Sequence, residues 1–173
     1  SVGLLSSSGL PRSNVPPFPP LLADALTRAR ASLAPATSSF VQLHTRKIFI
    51  TAQLMNSTDP LLIAARDWAI AHELGHLDHI DNPRRARMFS LHASNFLQPP
   101  PPADFMTEVY ADYWCTIALF LTPVSFKARY SGAMLAQNSP IQPARYNAQA
   151  ALWGPSTHAL FQAPFAGKNH FRR

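Results

Sequence analysis

The chain has 173 residues, 47% of them hydrophobic and 14% charged, which suits one globular domain with its own core and requires no second. Its single cysteine, Cys115, excludes a disulfide framework, and its longest uncharged apolar run, Ile117 to Val124, is far short of the ~20 residues that span a bilayer. The formal charge of +6 invites acidic partners, but the densest basic cluster, Pro83-Arg84-Arg85-Ala86-Arg87, is short and lacks interleaved aromatic residues. It is expected to be a solvated helix start, with nucleic acid kept as a partner that is not favoured.

Residues 1–20, rich in serine, glycine and proline and including "VPPFPP", are expected to form a flexible arm ahead of a single domain over 21–173, with its core within 40–123. The start at Ser1 rather than Met suggests a processed or excised chain, with no signal peptide visible in it. From Leu21 to Leu33 apolar residues recur at helical spacing until Pro35, predicting an amphipathic helix. "FVQLH" and "KIFIT", separated by Thr45-Arg46, predict two short strands in a hairpin. Asn56 to Asp59 supply caps, Pro60 suits a first helical position, and a helix is expected from there to about Ile80, ended by Asn82-Pro83. Another should cover Arg84 to Leu97, before the stiff, extended Gln98 to Pro102. Ala103 to Leu121 predicts a buried helix stopped by Thr122-Pro123. Beyond it "FKARYSGAMLAQ" and "PARYNAQAALWG" are read as short helices, and the end from Pro155 as irregular. The expected fold class is α+β, mostly helical with a short antiparallel sheet.

Within the long helix stands "WAIAHELGHLDH". Residues four apart share a helix face, so His72 and His76 can aim ring nitrogens at one ion, the arrangement a zinc site requires. Glu73 then lies beside the ion without ligating it, where it can take a proton from water; His-Glu-x-x-His is the zincin signature. A catalytic zinc takes three protein ligands and keeps one position open. The metzincin continuation is absent, because His79 and Asn82 stand where Gly and His would be needed. The chain's one other glutamate, Glu108, falls in the buried helix as "TEVYAD" and is the expected third ligand. Asp112, one turn on, is placed to accept the outer N–H of a ligating histidine and fix its orientation. His79 is a candidate for lining the cleft, against the plainer reading of a helix-end histidine, and Asp78 and Asp81 are expected to face solvent. The oxyanion donor is open among His158, Tyr130, Tyr146, Arg129 and Arg145.

"AARDWAIAHELGHLDH" followed by "EVYADYWCTIALFLTP" resembles the ImmA/IrrE family of bacterial zinc peptidases, over roughly Ile48 to Pro123. The resemblance implies a small gluzincin fold of helices packed on a short sheet, zinc on His72, His76 and Glu108, and Glu73 as general base. It also implies a regulatory protease, since relatives commonly cleave a transcriptional repressor. Asp112 stands where that family often has Asn, and Glu-x-x-Ala-Asp is equally similar to the HtpX-like zinc peptidases, which are usually membrane-embedded. The soluble relative is favoured, so a cytoplasmic zinc endopeptidase with one Zn²⁺ per chain, acting on a protein or peptide away from any membrane, is expected. The alternative is a non-catalytic module in which the zinc is structural and a basic, proline-rich surface recruits a partner.

Overall fold

The computed structural model describes residues 39–167, so the expected arm over 1–20 and the helix expected over Leu21–Leu33 lie outside the described residues. The described chain opens with the hairpin: β1 (Phe40–Gln42) runs antiparallel to β2 (Lys47–Phe49), with Val41 opposite Ile48. Arg46 closes the turn at φ 59°, a left-handed conformation that arginine adopts at a cost, and its N–H donates to the Gln42 carbonyl at 2.7 Å. Its guanidinium forks onto Asp81 at 2.9 and 2.6 Å, tying the turn to the far end of the long helix. A one-turn helix that the strand-like "KIFIT" did not foreshadow, α1 (Ala52–Met55), follows and buries Leu54 and Met55.

The long helix α2 (Pro60–Asp81) starts as expected, with the Asp59 side chain accepting from Leu61 N–H at 2.9 Å and Pro60 in the first turn. Every residue from Ala65 to Gly75 is buried, Arg66, Asp67, His72 and Glu73 included, so the helix has neighbours on nearly all sides. Packed on it are α3 (Pro83–Phe96), α4 (Ala103–Ala118) and α5 (Pro123–Ala136), with α4 making the most extensive contact. The α2–α4 crossing is close because Gly75 has no side chain. A Cβ there would stand 2.7 Å from the Ala111 Cα and 2.8 Å from its carbonyl oxygen, inside any permitted contact.

Several expectations are corrected. Helix α4 ends at Ala118 rather than Leu121: Phe120 turns left-handed at φ 53° and Leu121 N–H returns to the Thr116 carbonyl at 2.9 Å. Leu119 and Leu121 stay buried outside the helix, so apolar composition hides the boundary, while Thr122 and Ser125 form a capping box that starts α5 instead. The end of the chain is not irregular, since α6 (Pro143–Leu152) is followed by α7 (Pro155–Gly167). Phe161 of α7 packs on Phe89, Tyr110 and Tyr113 with ring centroids 5.4 to 5.6 Å away, so tertiary contact supplies what local periodicity lacks. The core accordingly runs past residue 123 and takes in Phe126, Tyr130, Leu152 and Phe161.

Asp78, expected to face solvent, is instead fully buried. Arg85 Nη2 donates to its two oxygens at 2.6 and 2.9 Å, Tyr110 Oη donates at 2.5 Å, and Asn82 Nδ2 at 2.9 Å. A buried carboxylate persists only when paired and hydrogen-bonded in this way. Its partner Arg85 is the inward member of the basic cluster, whose Arg84 and Arg87 are exposed as expected. Cys115 is buried and free, in keeping with its reading as a small hydrophobe. Among the described residues no helix is long and apolar enough to cross a membrane.

Candidate metal centre

Helix α2 sets His72 and His76 on one face, one turn apart, with their Nε2 atoms 3.1 Å from each other. Helix α4 brings in Glu108, whose Oε2 lies 3.0 Å from His72 Nε2 and 3.5 Å from His76 Nε2. Three ligand atoms from two helices thus converge, and this is the metal-competent cluster found among the described residues. Tetrahedral zinc with bonds of about 2.0–2.1 Å separates neighbouring ligand atoms by roughly 3.3 Å, so the donor set and its spacing fit that ion.

Asp112 takes the position expected of it. Its Oδ1 is 2.8 Å from His72 Nδ1, so it accepts the ring's outer proton and leaves Nε2 as the ring nitrogen turned toward Glu108. Asp112 is wholly buried and is gripped from the other side by Arg145 of α6, Nε donating to Oδ2 at 2.9 Å and Nη2 to Oδ1 at 2.6 Å. The Trp68 ring stacks on His72 at 5.1 Å with a 20° interplanar angle, fixing the imidazole plane.

The charges follow from this packing. Burial opposes a proton on His72, yet hydrogen bonds to Asp112 and Glu108 outweigh it and lift the metal-free ring to about 9. Glu108 experiences burial in the opposite sense, and its hydrogen bonds with the two histidines hold it well below the usual carboxylate range. Glu73 is buried, and desolvation pushes its carboxyl up against the pull of His72 and His76. A carboxyl of raised proton affinity beside a cluster of candidate ligands is suited to taking up a proton.

All four groups, His72, Glu73, His76 and Glu108, line a cleft of about 440 Å³ that β1 and the end of α5 also border. His79 lines it too, its ring edge-on to Tyr110 at 4.9 Å, and burial lowers its basicity, but it is not among the converging ligand atoms. Of the five candidate oxyanion donors, Arg145 alone borders this cleft. The Tyr130 hydroxyl accepts from Gln142 N–H at 2.9 Å, Arg129 donates to the Ala64 carbonyl at 3.5 Å, the Tyr146 ring carries Lys127 Nζ at 4.3 Å, and His158 Nδ1 sits 2.7 Å from the Tyr113 hydroxyl. Two roles escaped sequence reasoning, which named Arg145 only among the candidate oxyanion donors. Gly75 allows the two ligand-bearing helices to approach, and Arg145 braces Asp112 from a segment with no motif of its own.

Compared with protein-family models, with curated proteins and with solved structures, the chain gives no match.

Proposed function

We propose that the chain is a zinc-dependent endopeptidase of the gluzincin type, hydrolysing peptide bonds in a cytoplasmic protein or peptide substrate. The observation that carries this reading is the convergence of His72 Nε2, His76 Nε2 and Glu108 Oε2 within 3.0 to 3.5 Å of one another on the wall of a cleft that Glu73 also lines. Zinc held by those three residues would supply a Lewis acid that polarises a carbonyl and brings the pKa of water to about 7. The chain's own groups divide the remaining work. Glu73 is the general base: it takes the proton of the attacking water and delivers it to the leaving amine, and its burial raises the proton affinity that this delivery requires. Asp112 keeps His72 in the tautomer whose Nε2 is a ligand. Trp68, Val41 and Met134 give the cleft apolar walls that limit competing water around a bound peptide.

Against a closed structural zinc, this reading is supported by the fact that His72, His76 and Glu108 border a cleft. Replacing Glu73 by Gln tests the assignment. The variant should retain the zinc content and melting temperature of the wild type and cleave an unfolded protein substrate at least about 100-fold more slowly. Cleavage at the wild-type rate would remove Glu73 from the mechanism, and a wild type that loads zinc but cleaves nothing would favour the binding-module alternative.

A further inference from the structure

Charge at the candidate centre does not balance on the motif residues alone. Glu73, Glu108 and Asp112 bring three carboxylates around His72, and a divalent ion offsets two. Arg145 is the cation beside the third. It is buried, with Nη2 2.6 Å from Asp112 Oδ1 and 3.7 Å from Glu108 Oε2, and Nε 2.9 Å from Asp112 Oδ2. Its guanidinium lies 4.7 Å from the Tyr130 ring centroid and 5.8 Å from that of Trp68, the same ring that stacks on His72. Held by two carboxylate oxygens and two aromatic rings, the side chain has little freedom to turn.

Asp112 Oδ1 is the shared atom, accepting from His72 Nδ1 at 2.8 Å and from Arg145 Nη2 at 2.6 Å. We propose that Arg145 is a positioning residue for the metal ligand His72, acting through Asp112. Its planar fork fixes both carboxylate oxygens and so pins the one that holds the imidazole. This inference rests on the metal-centre reading above and extends it to a helix outside the span of the two motifs.

A positioning role and a bare charge effect predict opposite signs. As a charge alone, Arg145 repels a divalent cation, and its removal would tighten zinc binding. As a brace, its removal frees Asp112 and with it His72, weakening zinc binding by the ~10- to 100-fold typical when the partner of a ligand is lost. Zinc affinity is therefore to be measured by chelator competition on the full chain for the wild type, Arg145→Lys and Arg145→Met, each also combined with Asp112→Asn. Cobalt spectra of the same proteins report the ligand geometry. Both single variants should bind zinc at least about 10-fold more weakly and shift the cobalt bands, and neither should lose more once Asp112 is already Asn. Arg145→Lys keeps the charge and the buried stem, so it carries the test if Arg145→Met does not fold. Wild-type or tighter affinity in a folded variant, or losses that add in full to that of Asp112→Asn, would overturn the proposal. Failure of the metal-centre reading itself shows elsewhere, as a wild type that takes up no zinc.

Discussion

Gly75 lies between the two histidines at the point where α2 crosses α4, and replacing it by alanine tests whether that crossing builds the site. The added methyl would meet Ala111 Cα at 2.7 Å and Ala111 O at 2.8 Å, both main-chain atoms that cannot rotate away. Ordinary contact needs about 3.5–4.0 Å, so the helices must part locally by roughly 1 Å. Overpacking of this kind costs about 1–3 kcal/mol, and the better helix propensity of alanine returns about 1 kcal/mol. A net loss of roughly 0–2 kcal/mol follows, read by urea unfolding of the metal-free protein. Ala111 sits between Glu108 and Asp112 on α4, so the same displacement separates the ligands and weakens zinc binding. Gly132 is the internal control: its added methyl would lie 3.5 Å from Ala65 Cβ, an ordinary contact, so Gly132→Ala should stabilise by roughly 0.5–1 kcal/mol. If Gly75→Ala is as stable as the wild type and binds zinc equally well, the close crossing does not position the site.

Asp78→Asn leaves the buried Arg85 facing a neutral partner, and breaking a buried pair in this way should cost about 3–5 kcal/mol in thermal or denaturant unfolding; a loss under about 1 kcal/mol would mean that the network is not structural. Zinc uptake should depend on pH with a definite sign. His72 must be neutral to offer Nε2, and in the metal-free protein it holds its proton up to about 9, so affinity should rise from roughly pH 7 to that value with release of a proton on binding. Calorimetry in buffers of differing ionisation enthalpy measures that proton, and affinity that stays flat over this range would contradict the His72–Asp112–Glu108 arrangement.

The parts of the site legible in the sequence are those that local periodicity encodes. His72, Glu73 and His76 are joined by one turn of helix, as are Glu108 and Asp112, and the scarcity of glutamate links the two sets across a long stretch of chain. Arg145 meets Asp112 through the packing of α6 on α4, and no spacing rule marks one arginine among several for that contact. The burial of Asp78 is hidden from the sequence for a related reason. A charged residue in an apolar helix suggests a solvent face, and its burial depends on Arg85 returning across the Asn82-Pro83 turn to meet it. The end of α4 and the presence of α7 were likewise decided by tertiary contacts of Leu119, Leu121 and Phe161, whose apolar character is the same in helix or coil.

The most direct test of the account is zinc content per chain for the wild type, His72→Ala and Glu108→Ala, measured on folded protein after dialysis against a weak chelator. One zinc in the wild type and almost none in either variant is the predicted result. A wild type without zinc, or a Glu108→Ala variant that keeps it in full, would contradict a centre built from α2 and α4 together.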